Sequence, residues 1–163
     1  KELGQKGISG ESRDGMDISI IQIDKSRKKI QWAGANNPLW IVSTNKELVK
    51  SNADSFSIEK TDYHFCEIKP NKQPIGFSNN QKPFINHKIT LNKDDMIYLF
   101  TDGYVDQFGG EKGKKFMKKR FKNLIMESVS LSMGDQKKEF TTTVDYLFIN
   151  ESNFLFKFPP HTA

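Results

Sequence analysis

An acidic residue stands two positions after one of the most apolar segments of this 163-residue chain. Residues 97–100 are apolar, and Thr101, Asp102 and Gly103 follow them. A carboxylate at the end of a buried strand can bind a divalent cation such as Mg²⁺ or Mn²⁺, because these ions prefer oxygen ligands. Gly103 would let the backbone turn sharply beside it. Asp-Gly is also among the commonest turn pairs, so the motif fits either a metal ligand or an ordinary turn.

Other acidic residues are candidates for a second ligand. Asp106 lies on the same predicted loop, whereas Asp94 and Asp95 belong to the turn that precedes the apolar segment. Asp14 and Asp17 stand just before the first predicted strand, where an acidic pair could bind a cation. Such a pair more often caps the loop at the start of a strand, so we assign it no role.

Cysteine, histidine and the common catalytic motifs indicate no other chemistry. The single cysteine, Cys66, permits no internal disulfide and no zinc site with several thiolates, and we interpret it as a packed hydrophobic residue. The histidines His64, His87 and His161 lack the spacing of metal ligands. The chain has no Gly-x-Ser-x-Gly elbow and no Gly-x-x-x-x-Gly-Lys loop.

The chain is basic, with a net charge of +5 and a pI near 9.2. The positive charge is concentrated in residues 25–29 and 112–122. Such clusters can bind nucleic acid, but solvated turns and helix faces are the commoner explanation, and we predict no nucleic-acid partner. No apolar run approaches the roughly 20 residues that cross a bilayer. We therefore predict no membrane contact, and one free thiol favours a cytoplasmic location.

Short β-branched segments joined by polar turns predict antiparallel sheet. The predicted strands are residues 17–24, 30–35, 39–43, 84–91 and 96–101. We expect the first three to form a meander and the last to be the most buried. Residues 51–82 predict a long irregular loop, because prolines, a glycine and polar runs interrupt them.

The hydrophobic spacing becomes helical after residue 115. Phe116, Phe121 and Ile125 mark the apolar face of one predicted helix, and lysines fill its other face. Ser132 and Asp135 resemble the capped start of a second helix. The glycines at 109–113 predict a flexible flap between strand and helix.

The last residues have an atypical composition. Residues 148–163 are rich in phenylalanine and end in Pro-Pro-His-Thr-Ala. They fit a final edge strand at 153–158 or non-native sequence.

Four short motifs resemble, in order, those of the SpoIIE-type serine phosphatases, the bacterial branch of the metal-dependent PPM (PP2C-like) family. Residues 33–39 resemble its Ala-Gly-His-Asn-Pro-Pro segment, and residues 74–76 its Pro-Leu-Gly segment. Residues 91–103 are similar to its strand, acidic turn and Thr-Asp-Gly segment. Residues 108–116 are similar to its glycine-rich stretch before a helix. The resemblance covers about residues 12–147.

The resemblance implies an α+β fold, the PPM-type α-β-β-α sandwich of antiparallel sheets flanked by helices. It implies Mn²⁺ or Mg²⁺ as cofactor, with Asp102 matching the family's Asp-Gly metal ligand and Gly103 the glycine beside it. The implied reaction is hydrolysis of phosphoserine or phosphothreonine in proteins by a metal-activated water. The implied partners are a phosphorylated protein, such as an anti-sigma-factor antagonist, and an upstream sensor or receiver domain.

The sequence also departs from the family pattern. The family's first metal-binding Asp and its Asp-x-x-Gly-His-Gly segment have no counterpart, Ala35 replaces its usual His, and Asp145 lies too early for its closing Asp-Asp pair. We therefore expect one partial domain over residues 1–163 with an atypical tail at 148–163, a C-terminal portion that is weakly active or inactive alone. The alternatives are a non-catalytic PPM-like binding or regulatory module, and a β-rich nucleic-acid binder suggested by charge alone.

Overall fold

The computed structural model describes residues 15–26, 28–47, 54–57, 62–76, 81–109, 114–145 and 156–157. These residues form an α+β fold with ten strands and three helices. In chain order they are β1 (Ile18–Ile23), β2 (Lys29–Ala35), β3 (Leu39–Ser43), β4 (Asp54–Ser57), β5 (His64–Ile68), β6 (His87–Thr90), β7 (Met96–Tyr98), α1 (Asp102–Val105), β8 (Phe108–Gly109), β9 (Lys114–Lys115), α2 (Met117–Ser128), α3 (Met133–Asp145) and β10 (Phe156–Lys157). The chain divides into two compact units, residues 1–39 with 68–91, and residues 40–67 with 92–163.

The first unit contains a three-stranded antiparallel sheet in the order β1-β2-β6. The predicted hairpin of β1 and β2 is confirmed, with Ile20 opposite Ala33. Its turn is closed by the Asp24 carboxylate, which accepts hydrogen bonds from the Ser26 hydroxyl at 2.6 Å and the Lys28 amide at 3.0 Å. A small sheet needs at least three strands with a hydrophobic face to be stable, and this sheet has three.

The described part of the loop between β5 and β6 is hydrogen-bonded to this unit. Asn71 donates its backbone N–H to the Gly34 carbonyl at 2.9 Å and accepts from the Asn36 amide at 3.0 Å. Met16 and Ile75 exchange two backbone hydrogen bonds of 2.8 Å. The prediction of a long irregular loop over residues 51–82 is wrong in part, because β4 and β5 lie within it.

The second unit contains a five-stranded sheet in the order β10-β7-β3-β5-β4. All five residues of β3 are buried, as expected of a central strand with a continuous apolar sequence. The predicted meander is wrong at this point, because β3 pairs with β7 and not with β2. Asn36, at a φ of 58°, lies in the connection where the chain leaves the first sheet.

Aromatic side chains form the core of the second unit. Trp40 lies 4.1 Å from the ring centroid of Phe100 and 5.3 Å from that of Phe121. The predicted helix around Phe121 is confirmed as α2. The predicted cap of α3 is confirmed too, since the Asp135 amide donates to the Ser132 hydroxyl at 3.2 Å.

Three short elements differ from the sequence predictions. β7 ends at Tyr98 and not at residue 101, and the chain then enters α1. The segments on either side of the predicted flap pair with each other, with Phe108 opposite Lys115, and residues 110–113 lie outside the described residues. In the tail, β10 pairs with Met96 and Ile97 at the edge of the five-stranded sheet. Among the described residues, no helix has the length and apolar character needed to span a bilayer.

Candidate metal-binding site

Asp102 is the first residue of α1, and buried neighbours fix its backbone. Thr101 before it is extended, with φ −94° and ψ 166°, and the chain enters the helix at Asp102. Tyr104 and Val105 are buried in the core of the second unit. The Asp106 amide donates to the Asp102 carbonyl at 2.8 Å, which closes the helical turn. The acidic residue therefore stands on a short turn whose apolar side is anchored.

The side chain of Asp102 is exposed and free. Among the described residues no hydrogen-bond or ion-pair partner reaches its carboxylate, so both oxygens are available to a ligand. Gly103 lies in the helical turn, and its φ is outside the left-handed region. A helical turn therefore replaces the sharp glycine turn that the sequence predicts here. The Gln107 side-chain amide donates to the Gly103 carbonyl at 2.8 Å and braces the same turn.

The other acid of this segment is already paired. Lys115 Nζ lies 2.8 Å from Asp106 Oδ2, and both side chains are partly exposed. The pair joins the end of α1 to β9, so Asp106 has a structural partner. Of the two predicted candidates on this segment, Asp102 is the one whose charge the described residues leave unbalanced.

Asp94 and Asp95 belong to the turn before β7, as predicted. Asp94 is exposed and adopts a φ of 67°. Asp95 is 3% exposed, and its carboxylate accepts the Asn92 amide hydrogen bond at 2.8 Å. Burial raises the pKa of Asp95, although hydrogen bonds partly oppose this effect. Both residues therefore have a structural explanation.

Asp17 lies in the first unit and contacts the motif at residues 33–39. The Asn36 side-chain amide donates to Asp17 Oδ1 at 2.7 Å. Sequence reasoning gave Asn36 no role. The one feature of the sequence that could have drawn attention to Asn36 is its residue type, because asparagine tolerates the left-handed conformation that this residue adopts. Asp14, the predicted partner of Asp17, lies outside the described residues.

The cysteine and two of the histidines are packing residues. Cys66 is fully buried, and burial raises the pKa of its thiol to about 11, which keeps it protonated. The ring of His87 lies 5.2 Å from that of Trp32 and is tilted by 46° to it, and burial lowers the pKa of His87. His64 lies in β5 and is half-buried. His161 lies outside the described residues, and Asp145 is the last residue of α3.

The described part of the chain does not assemble a full set of protein ligands for a metal ion. No group of three or more His, Cys, Asp or Glu side chains comes together among these residues. Mg²⁺ usually keeps several waters and takes one or two protein carboxylates. The free Asp102 carboxylate fits such a hydrated ion, whereas the nearby Asp106 is paired with Lys115.

Two comparisons with known proteins bear on the fold and the family. The family model described as Stage II sporulation protein E (SpoIIE) matches residues 9–151. Among solved structures, the SiaA-PP2C domain of Pseudomonas aeruginosa is similar over 80% of this chain, with 23% sequence identity and a TM-score of 0.59. This similarity confirms the predicted PP2C-like α+β fold.

The match is partial in length. The chain spans 45% of that solved PP2C domain. No functionally curated protein sequence matches the chain.

Proposed function

The chain belongs to the SpoIIE family, and from that premise we propose that it is a metal-dependent protein serine/threonine phosphatase domain of bacterial cytoplasmic signalling. The family match over residues 9–151 and the PP2C-like fold support the reaction class. One observation identifies the residue that would bind the metal ion. The free, exposed carboxylate of Asp102 stands where the resemblance expects a metal ligand.

The proposed reaction is hydrolysis of a phosphoserine or phosphothreonine ester by water. A divalent ion such as Mn²⁺ or Mg²⁺ would supply a water that is acidic enough to attack at neutral pH. Asp102 would hold such an ion through carboxylate oxygens that no described cation neutralises. Tyr104 and Val105 keep its turn anchored, and the Asp106–Lys115 pair fixes the far end of α1. Anchoring of this kind lets a ligand residue bind without first being ordered.

The proposed substrate is a phosphorylated protein. Family membership supports this choice, and an anti-sigma-factor antagonist is the kind of phosphoprotein that the resemblance implies. The same membership supports control by an upstream sensor or receiver domain.

The test compares Asp102→Asn with the unsubstituted chain in Mn²⁺-dependent hydrolysis of a phosphoserine peptide. We expect Asp102→Asn to reduce the metal-dependent rate by at least about 100-fold, since even substitutions behind the ligands of a metal site cost 10–100-fold. Asp94→Asn is the matched control, because Asp94 is exposed and its φ of 67° suits asparagine. The control should keep the rate within about twofold, as expected of a surface substitution remote from the site.

The competing proposal is a non-catalytic PPM-like module. The observation that favours it is that no group of three or more His, Cys, Asp or Glu side chains comes together among the described residues. Calorimetric titration with Mn²⁺ separates the two. Binding that Asp102→Asn weakens supports the phosphatase. A folded chain that neither binds Mn²⁺ through Asp102 nor hydrolyses the peptide contradicts it and supports the binding module.

A further inference from the structure

A dense cluster of positive charge covers β9 and the start of α2. Six of the nine residues 114–122 are lysine or arginine. Four of them have no carboxylate within ion-pair distance in the described part of the chain, and all four are exposed. We call these four the basic ridge: Lys114, Lys118, Lys119 and Arg120.

The other two cations of the cluster serve the fold. Lys115 pairs with Asp106 at 2.8 Å. Lys122 pairs with Glu67, and its Nζ lies 5.3 Å from the ring centroids of both Trp40 and Phe65. The basic ridge lacks equivalent partners in the described part of the chain, so its charges remain available to another molecule.

The basic ridge opposes the stability of the helix that carries it. Lys118, Lys119 and Arg120 fall in the first turn of α2, which contains no acidic residue. The positive end of the helix dipole repels cations there. Met117 adds strain, because its φ of 71° is unfavourable for a long side chain. Residues that destabilise their own helix, and that have no ion-pair partner in the described part of the chain, are typical of a functional surface.

The ridge lies on the element that packs against α1. The Phe116 amide donates to the Gln107 carbonyl at 2.8 Å. The ring of Tyr104 lies 5.7 Å from that of Phe116 and 4.4 Å from that of Phe121. α1 begins with Asp102, so the charged surface and the candidate ligand stand on adjoining elements of the same unit.

Two exposed apolar side chains accompany the ridge. Phe108 is 65% exposed and pairs with Lys115 across the β8–β9 hairpin, and Met117 is 59% exposed at the start of α2. Phenylalanine, methionine and arginine are enriched where proteins contact one another, whereas lysine is depleted there and contributes through charge. This mixture favours a polypeptide partner over a bare polyanion.

We propose that the basic ridge, with Phe108 and Met117, docks the acidic segment that flanks the phosphoserine of a protein substrate. This inference rests on the proposed function and names its substrate class. Charge complementarity steers the negative segment to the ridge and fixes its register. The phosphoserine beside that segment is thereby held near the turn that carries Asp102.

The test measures peptide binding, so it needs no turnover. The probe is a fluorescein-labelled phosphoserine peptide with four flanking glutamates, and its partner probe has serines in their place. The disruptive variant is Lys118→Glu/Lys119→Glu/Arg120→Glu. The matched control, Lys25→Glu/Lys88→Glu/Lys93→Glu, reverses three exposed lysines elsewhere. A third variant, Lys118→Gln/Lys119→Gln/Arg120→Gln, removes the same charges without reversing them, in case charge reversal prevents folding. Circular dichroism measures whether all three variants are folded.

We expect the unsubstituted chain to bind the acidic peptide at least about tenfold more tightly than the serine peptide at low salt. Ridge reversal should abolish that preference, the glutamine variant should reduce it, and the control should retain it within about twofold. The preference should also shrink as the salt concentration rises to about 0.3 M, because exposed charges are screened.

Three results would overturn the inference. They are equal binding of the two peptides, an equal loss in the control variant, and tighter ridge-dependent binding of a single-stranded oligonucleotide of the same charge. The outcome is separable from that of the proposed function. Docking by a chain that neither binds Mn²⁺ through Asp102 nor hydrolyses the peptide overturns the phosphatase alone, whereas hydrolysis without an effect of the basic ridge overturns the docking surface alone.

Discussion

Two carboxylates within one short segment have opposite environments, and burial explains the difference. Asp102 is exposed on α1 and keeps its oxygens free. Asp95 is buried, accepts a backbone hydrogen bond, and has a raised pKa because burial disfavours its charged form. A ligand for a hard cation needs a charged, accessible oxygen. On this ground Asp102 is the better candidate.

The buried carboxylate of Asp95 makes stability depend on pH. Its folded-state pKa is raised above 3.8, so the folded chain holds the proton more tightly than the unfolded chain. Its contribution is fully present below pH 3.8 and is lost as the pH rises through the folded pKa. We expect Asp95→Asn to be at least as stable as the unsubstituted chain at pH 7 and to lose this part of the pH dependence. Urea unfolding at several pH values measures both.

The adjacent Asp94 provides the control for that measurement. Asp94→Asn removes an exposed charge from the same turn and should leave the shape of the pH profile unchanged. If Asp95→Asn is clearly less stable at pH 7, the prediction is wrong. The charged carboxylate then stabilises the turn by more free energy than its burial costs.

At the scale of single residues, the sequence predicted the place of a residue within an element better than it predicted which residues contact each other. It located Asp102 at the end of the apolar segment and Asp94 and Asp95 in a turn, since a local pattern defines each. It missed the hydrogen bond from Asn36 to Asp17. That contact joins residues that are distant in sequence, and the pairing of β1 with β2 brings them together.

At the scale of elements, strands with a strong local pattern were predictable and short ones were not. β1, β2 and β3 are β-branched or apolar runs bounded by turn residues, and each was located within one or two residues. β4 and β5 pair with each other across a polar stretch, so their strand state depends on tertiary pairing. α1 has four residues, which is too short for helical periodicity to show.

The glycine of β2 allows a close approach that an added side chain would block. A Cβ on Gly34 would lie 2.5 Å from the Asn37 carbonyl oxygen and 2.5 Å from Trp32 Cζ2. We expect Gly34→Ala to destabilise the chain by about 1–3 kcal/mol, the usual cost of overpacking. Chemical denaturation followed by circular dichroism measures the loss.

The glycine of α3 provides the matched control. A Cβ on Gly134 would have Ser132 Oγ at 3.8 Å as its nearest neighbour, which is ordinary contact. Because alanine is the better helix former, Gly134→Ala should stabilise the chain by about 0.5 kcal/mol. Equal effects of the two substitutions would show that the close approach at Gly34 does not determine stability there.

At the scale of the whole molecule, the two units are interleaved in sequence. Pairing of β2 with β6 joins residues 29–32 to residues 87–90 and encloses β3, β4 and β5 in the resulting loop. Pairing of β3 with β7 joins residues 40–42 to residues 96–98 and encloses β4, β5 and β6. Once one pair has formed, the other closes through the short connections at residues 36–38 and 91–95. The entropy of loop closure therefore couples the two sheets.

This coupling predicts that the two units unfold together. The chain has two tryptophans, both buried, with Trp32 in the first unit and Trp40 in the second. Trp40→Phe leaves Trp32 as the fluorescent probe of one unit, and Trp32→Phe leaves Trp40 as the probe of the other. In each variant we expect the fluorescence and far-ultraviolet circular dichroism transitions in urea to coincide, as in two-state unfolding. A Trp32 transition that precedes the loss of circular dichroism would instead show that the three-stranded sheet opens alone, and that loop closure links the units too weakly to make them one folding unit.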